Sequence, residues 1–156
     1  MLRRRLRQQR FDSPAHEALL NVLVASDFLR RRTGEVCAAY GISPGQYNVL
    51  RILGGAQPGG LTRGDVAARL IEHAPDVTRL IDRLVRAALV RRGVSGEDGR
   101  RSIAAITPAG LRLLQRMRPA VDGVTADVAQ RLGPAGSRKL SALCERIYTP
   151  GGDNAR

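Results

Sequence analysis

The sequence predicts a mainly α-helical fold with a small β-hairpin. Apolar residues recur at helical spacing through most of the 156 residues. Two short runs of strand-forming residues, 90–92 and 102–106, flank a polar, glycine-rich stretch at 93–99, which is typical of a hairpin. Aromatic residues make up only 3% of the chain and tryptophan is absent. The core must therefore be built from aliphatic side chains, which favours helices packed on helices.

Capping residues place the starts of the first three helices. Ser13 precedes a proline and predicts a helix that runs to about residue 39. Ser43 and Gln46 have the spacing of a capping box and open a second helix. Thr62 caps a third, short helix that we expect to end near residue 70 or 71.

The rest of the chain continues with a helix, the hairpin and two further helices. Pro75 suits the first turn of a fourth helix, which we expect to run to about Ala88. Thr107 caps a long fifth helix, and Gly133 with the proline after it separates that helix from a last one. This order of elements is that of a winged helix-turn-helix, in which the second helix of the pair lies in the major groove of DNA.

The charge of the chain points to a polyanionic partner. The formal net charge is +12 and the isoelectric point is about 11.4. Nucleic acid is the commonest partner of so basic a protein. Every basic residue except Lys139 is arginine, however, and a genomic composition bias could produce that excess. The position of the charges must therefore decide between the two interpretations.

Several classes of protein are disfavoured by what the sequence lacks. Cys37 and Cys144 match no metal-ligand spacing, and their number suits a reducing cytosol. No run reaches the roughly 18 apolar residues of a membrane helix, and residues 1–7 lack the apolar core of a secretion signal. His16 and His73 accompany no nucleophile motif. We therefore expect a cytoplasmic protein without a membrane span, a metal or an enzymatic activity.

The fourth helix carries a basic stripe. Three arginines recur at i, i+4 and i+7, opposite its apolar face: Arg79, Arg83 and Arg86. Asp76 and Thr78 lie in its first turn, where a recognition helix approaches the edges of bases. The alternative is a solvated surface helix in which Asp82 absorbs part of the charge by pairing with arginines three or four residues away.

The hairpin offers a second contact with DNA. Arg100 and Arg101 follow its glycine-rich tip, and an arginine gains from the negative potential of a narrow minor groove. Asp98 is expected to brace one of them, and either arginine could enter the groove. The alternative is an ordinary charged turn.

Three stretches of this sequence closely resemble the MarR family of bacterial transcription regulators. They are 76–85 with Val-Thr-Arg-Leu, 89–92 with Leu-Val-Arg-Arg, and 98–110 with Asp-Gly-Arg-Arg ahead of the Thr-Pro-Ala-Gly that opens the fifth helix. Residues 61–67 also match the helix that precedes the recognition helix in this family. The chain departs from the family pattern at Ala88, where a glycine is usual. Because a left-handed alanine is strained, we expect the exit turn of the recognition helix to differ.

The resemblance implies a homodimer that binds double-stranded DNA. The terminal helices of two chains would interlock, and each chain would present one winged helix to a pseudo-palindrome with half-sites about 10 bp apart. Leu140, Leu143 and Ile147 support this independently, because they need a partner surface. The domain prediction is a disordered basic arm at 1–12, dimerisation helices at 13–40 and 108–149, a winged helix-turn-helix lobe at 41–107 and a flexible tail at 150–156.

The predicted DNA-binding residues combine the stripe, the hairpin and the preceding helix. They are Thr62, Arg63, Pro75, Asp76, Thr78, Arg79, Arg83, Arg86, Arg92, Asp98, Arg100 and Arg101.

The resemblance also implies control by a small aromatic or phenolic effector, with no other cofactor. Candidate ligand residues are His16, Tyr40, Tyr47 and Arg51, although each also has a structural or surface interpretation. One alternative is a thiol-based redox-sensing repressor of the same fold, but Cys37 lies late in its helix and does not match the early cysteine of the peroxide-sensing branch. An alternative of a different class is a basic RNA-binding module. The scarcity of aromatic residues argues against it, because single-stranded RNA is commonly bound by stacking on aromatic side chains.

Overall fold

The computed structural model describes residues 1–72, 76–95 and 101–149, without the side chains of Ser95 and Arg101. The elements in chain order are α1 (Leu2–Leu6), α2 (Pro14–Ala39), α3 (Pro44–Gly54), β1 (Leu61–Thr62), α4 (Arg63–Ala68), α5 (Val77–Arg86), β2 (Val90–Ser95), β3 (Arg101–Ile106) and α6 (Pro108–Tyr148). The prediction of a mainly α-helical fold with a β-hairpin is confirmed. The chain divides into two compact units, Met1–Arg118 and Pro119–Arg156.

The three predicted helix starts at Ser13, Ser43 and Thr62 are confirmed by their caps. The Ser13 hydroxyl accepts a hydrogen bond from the backbone amide of His16 at 3.1 Å. Ser43 and Gln46 make both hydrogen bonds of a capping box, and Thr62 makes the same pair with the acidic residue three positions on. Each cap satisfies backbone donors that the first helical turn leaves open.

The hairpin of β2 and β3 belongs to a three-stranded antiparallel sheet with the order β1, β3, β2. Val90 pairs with Ile106 at its base. The third strand, β1, is a two-residue element that the sequence analysis does not predict, and it pairs Leu61 with Ala104 and Thr62 with Ile103. Thr62 therefore ends a strand and caps α4 at once, which joins the sheet to the helix-turn-helix.

The core of the first unit lies between α3, α5, the sheet and the first turns of α6. Its members are aliphatic, as the composition requires, and they include Val49, Leu50, Leu53, Val66, Ile81, Leu84, Val90, Ile106, Leu113 and Met117. Among the described residues no polar or charged side chain is buried in it. This packing fixes the exposed face of α5, because its opposite face is held in the core.

The structure differs from the prediction at several boundaries. Residues 2–6 form helix α1, with Leu2 only 8% exposed, where a disordered arm is predicted. Helix α4 ends at Ala68, before the predicted residue 70 or 71. Helix α5 begins at Val77 because the Asp76 carboxylate accepts from the amide of Arg79 at 2.9 Å and caps it. Pro75, the predicted first-turn residue, lies outside the described residues.

Helix α5 ends at Arg86, and Ala88 then takes the left-handed conformation with φ of 57°. The expectation of a different exit turn is therefore wrong. The amide of Ala88 donates to Val85 at 2.9 Å and that of Leu89 to Leu84 at 3.0 Å, which is the Schellman pattern that normally uses glycine. The hydroxyl of Thr107, just before α6, donates to the Ala88 carbonyl at 2.8 Å and links this turn to the start of α6.

Replacing Ala88 by glycine is expected to stabilise the protein. Glycine removes the strain of a left-handed alanine, which is about 1–2 kcal/mol. It also makes the unfolded chain more flexible, which lowers stability by about 0.4–1 kcal/mol. The expected net gain in stability is therefore about 0.5–1 kcal/mol. Urea denaturation would measure it. The control is Ala87→Gly, at the helix cap with φ of −82°, which should lose stability; equal losses in both variants would contradict the strain.

The second unit contains the rest of α6, which is interrupted at Gly133. This residue has φ of 63° and ψ of 173°, so the predicted break between two helices is confirmed. The Ser137 hydroxyl donates to the Gly133 carbonyl, four residues earlier, at 2.8 Å. Within the described ranges, no helix combines the length and the apolar composition that a membrane crossing requires.

Candidate nucleic-acid interface

Helix α5 presents its arginines on the face opposite the core. Its core side is formed by Val77, Ile81 and Leu84, all at most 6% exposed. The exposed residues are Thr78, Arg79, Arg83 and Arg86. At 100° per residue the three arginines lie opposite the core side, and Thr78 lies at the edge between the two sides. The structure thus brings the four predicted contacts together on a single accessible surface, which we call the arginine face.

Asp76 holds the first arginine of that face. Its carboxylate lies 2.7 Å from Nε of Arg79, in addition to capping the helix. The Arg79 side chain is nevertheless 80% exposed, so its guanidinium is oriented without being covered. Asp76 therefore positions Arg79, and its predicted approach to base edges stays a prediction.

The predicted ion pairs of Asp82 within α5 are not the ones that the structure shows. Asp82 instead accepts a hydrogen bond from Nη2 of Arg92, on β2. The bond joins α5 to β2 and involves Arg92, one of the predicted DNA contacts. Arg83 and Arg86, by contrast, form no ion pair with any residue of 1–72, 76–95 or 101–149, so their charge is available to a partner.

The bond between Asp82 and Arg92 is expected to contribute about 0.5–1 kcal/mol to stability. Both side chains are about half exposed, at 45% and 51%, so solvent weakens the attraction. A double-mutant cycle of Asp82→Ala and Arg92→Ala, measured by urea denaturation, would give this coupling directly. It should shrink in 1 M salt, and an unchanged coupling at high salt would contradict an exposed ion pair.

A cleft of about 280 Å³ lies where α4, α5 and the sheet meet. Its lining brings together three predicted contacts, Arg63, Thr78 and Arg92, with Ile81, Ser102, Ile103 and Ala104. The sequence analysis missed Ser102, whose exposed position beside the cleft follows from the pairing of β3 and not from any motif. The predicted contact Thr62 is not among the lining residues, and its hydroxyl, 2.6 Å from the Asp65 carboxylate, takes part in the cap of α4.

The wing tip lies beyond what the structure describes. Asp98 and Arg100 fall in the gap at 96–100, and Arg101 is placed only by its backbone, which pairs with residue 95. The predicted brace between Asp98 and one of the two arginines therefore stays a prediction. The strands leading to the tip are longer than predicted, at six residues each.

The candidate effector residues have separate partners. Nδ1 of His16 lies 3.2 Å from the Asp12 carboxylate. The Tyr40 hydroxyl donates to the carbonyl of Arg116 at 2.9 Å, and Arg51 donates to an asparagine one turn earlier on α3. Tyr47 lies half-buried on α3. Their role in ligand binding stays a prediction.

Cys37 is packed in the core and not poised for chemistry. It is 0% exposed, and burial raises the pKa of its thiol. Because the thiolate is the reactive species, a raised pKa lowers its reactivity. This position therefore disfavours Cys37 as the reactive thiol of the redox-sensing alternative. Within the described residues no group of three or more His, Cys, Asp or Glu side chains could hold a metal ion.

Comparison with known proteins identifies the family. Residues 40–101 match the sequence model of the MarR family. The chain is 34% identical to a MarR transcription factor from Planctomyces limnophilus, whose crystal structure aligns with 87% of this chain and 98% of that chain at a TM-score of 0.66. The chain belongs to the MarR family. The resemblance found in the sequence is thereby confirmed, and this family consists of transcription regulators and not of enzymes.

More distant comparisons agree on the fold. The DNA complex of MepR from S. aureus aligns at a TM-score of 0.75 over 86% of this chain and 96% of that chain, with 21% identity. CouR from Rhodococcus jostii RHA1, solved with p-coumaroyl-CoA, aligns at 0.77 over 92% and 100%, with 18% identity. A Thauera aromatica protein, named as a regulator for the hcr operon, shares 29% identity over 69% of this chain, and the match spans 64% of that protein's length.

Proposed function

We propose that this MarR-family protein is a sequence-specific DNA-binding repressor that acts as a homodimer. The observation that carries the proposal is the arginine face of α5. Three long cationic side chains occupy one exposed side of a helix whose other side is fixed in the core. A helix of this kind fits the major groove, where arginine makes bidentate hydrogen bonds to guanine.

The surroundings of α5 support a DNA partner over an unspecific anion. Arg63 at the start of α4 and Arg92 on β2 line the cleft beside the helix, so two neighbouring elements add basic side chains next to α5. Backbone phosphates border each groove, and contacts to them fix the register in which a recognition helix sits. MepR, which has the same fold, was solved in complex with DNA.

The dimer is supported by apolar surface in each unit. On α2, Leu19 and Leu23 are 56% and 53% exposed, and Val22 and Leu29 lie on the same side of the helix. In the second unit, Leu140, Leu143 and Ile147 recur at i, i+3 and i+7 and are exposed as well. Such surface is costly to leave in water and is typical of protein–protein interfaces. A two-fold dimer would place two α5 helices on half-sites about 10 bp apart.

Regulation by a small aromatic or phenolic effector is part of the same proposal. CouR, with the same fold, was solved with p-coumaroyl-CoA bound. The two α5 helices of the dimer would have one spacing that fits the operator and another that does not. A ligand that binds the second conformation more tightly would shift the population towards it and release the DNA. Titrating phenolic acids and their thioesters into the protein–DNA complex, with release read by fluorescence anisotropy, would test this part separately.

The decisive experiment is a gel-shift titration with DNA from upstream of the protein's own gene, against a random duplex of equal length. We expect a dimer, confirmed by sedimentation, to prefer one upstream site by at least about 10³-fold at physiological salt. DNase footprinting should then show protection of two half-sites. Binding that is equal on both duplexes and falls steeply with salt would overturn the repressor proposal.

A further inference from the structure

The first ten residues form a basic segment that is folded, and we call it the N-terminal arm. It holds five arginines and no acidic residue: Arg3, Arg4, Arg5, Arg7 and Arg10. Helix α1 lies within it, and the covered side chain of Leu2 anchors that helix to the rest of the first unit. Uniformly basic arms are commonly used to bind nucleic acid.

Two of these arginines fix the position of the arm. Nη2 of Arg5 lies 3.4 Å from the carboxylate of Asp27 on α2. The guanidinium of Arg3 lies over the ring of Phe11, 5.9 Å from its centre, and that ring meets His16 edge-on. Both contacts are exposed and individually weak. Together with the buried Leu2 they give the arm a defined place along α2.

The same turn of α2 also holds the segment that leads to the recognition helix. Nη1 of Arg30 lies 3.5 Å from the carboxylate of Glu72. Asp27 and Arg30 are three residues apart, so they lie on one side of α2 and about 4.5 Å apart along its axis. Glu72 is four residues before Asp76, the N-cap of α5, and four residues span at most about 14 Å. The arm and Glu72 are thus held at one turn of one helix, and Glu72 lies within about 14 Å of chain from the start of α5.

The remaining arginines of the arm are accessible. Arg4, Arg7 and Arg10 are exposed, and none of them forms an ion pair with a residue in the ranges that the structure describes. Arg7 ends α1 in the left-handed conformation, with φ of 53°. Three cations are therefore exposed on an anchored segment, and within the described part of the chain no carboxylate is bound to them.

We propose that the N-terminal arm is a second DNA-binding surface, in which Arg4, Arg7 and Arg10 bind backbone phosphates that flank the half-site contacted by α5. This proposal rests on the proposed function. The start of a recognition helix enters the groove, so a basic element held near the segment that precedes this start would be within reach of the phosphates at the groove's edge. Such contacts add affinity and fix orientation without reading sequence.

The test compares two triple variants with the same charge. One is Arg4→Gln/Arg7→Gln/Arg10→Gln, and the control is Arg138→Gln/Lys139→Gln/Arg146→Gln, from exposed positions of the second unit. Affinity for the footprinted duplex is measured between 50 and 200 mM salt. The dimer would lose three phosphate contacts in each subunit, and this should flatten the slope of log affinity against log salt by about five units, since each contact contributes about 0.9. The wild type should then lose on the order of 10³-fold more affinity over this range than the arm variant.

Further variants separate local contacts from bulk charge. The control should change the slope by less than about one unit, and replacing the three arm arginines by lysine should preserve it, because a phosphate accepts either cation. Trimming the duplex to the two half-sites should weaken the wild type and leave the arm variant unchanged. Circular dichroism melts would confirm that each variant is folded.

The outcomes distinguish this proposal from the proposed function. If the wild type binds its operator and the arm variant has the wild-type slope, or the control loses as much as the arm variant, the arm proposal fails alone. If no specific site is found, the slopes on a random 30-bp duplex still decide, and a flatter slope for the arm variant supports the arm. Failure to bind either duplex overturns both, and an arm that prefers single-stranded RNA or anionic vesicles to duplex DNA overturns the arm proposal.

Discussion

Replacing Arg83 by alanine is expected to reduce the affinity for the operator by about 30-fold to 2 × 10⁴-fold, because the dimer would lose two bidentate arginine–base contacts of about 1–3 kcal/mol each. Arg83 occupies the middle of the arginine face, is exposed, and has no ion-pair partner among the described residues. Its truncation therefore leaves no buried group unsatisfied and should preserve the fold. Fluorescence anisotropy with the footprinted duplex, at a fixed salt concentration, would measure the loss.

The control for Arg83 is Arg112→Ala, which removes the same charge from an exposed position on α6. It should change affinity by less than threefold, the size of a general charge effect. The ratio of operator to random-duplex affinity is the sharper readout. An arginine that reads a base lowers this ratio, whereas a loss of equal size on both duplexes would show that Arg83 contacts only phosphate and would contradict the expected base contact.

Replacing Gly110 by alanine is expected to destabilise the protein by about 2–3 kcal/mol, the cost of overpacking a tight site. A Cβ at this position would lie 2.4 Å from the Leu89 carbonyl oxygen and 2.6 Å from Cγ1 of Ile106. The neighbouring backbone cannot easily move away, because the amide and hydroxyl of Thr107 bond to the carbonyls of Leu89 and Ala88. Thermal and urea denaturation would measure the loss.

The matched control is Gly123→Ala, also within α6, where an added Cβ meets nothing within 4 Å. It should stabilise the helix by up to about 1 kcal/mol, because alanine is the better helix former. The opposite signs of the two substitutions distinguish the steric clash at Gly110 from a general preference for glycine. A Gly110→Ala variant with the unfolding midpoint of the wild type would contradict the close packing.

The sequence predicts the elements of this fold whose determinants are local. Ser13, Ser43 and Thr62 each cap a helix through a residue three positions away, so their signal is complete within one turn. Strand β1 has no such signal, because two residues become a strand only by pairing with β3 some forty residues later. Helix α1 escapes prediction for a related reason: its stability depends on the covering of Leu2 by the rest of the unit and not on helix propensity.

The same distinction applies to the candidate site. The arginine face follows from helical periodicity alone. The partner of Asp82 does not, because spacing rules along a helix propose only residues three or four positions away, and Arg92 lies on another element. At Ala88 the local preference against a left-handed conformation is real, but the Schellman hydrogen bonds and the anchor from Thr107 outweigh it. The hydrogen bond from Thr107 comes from a distant part of the chain and could not be predicted from the residues around Ala88.

Thr62 connects the hairpin of β2 and β3 directly to helix α4. Its backbone pairs with Ile103 on the return strand of the wing, while its side chain closes the first turn of α4. A displacement of β3 would therefore reach the start of α4 through the two residues of β1, Leu61 and Thr62. The hydrogen-exchange rates of the α4 backbone amides should therefore differ between a hairpin held by a bound partner and a free hairpin.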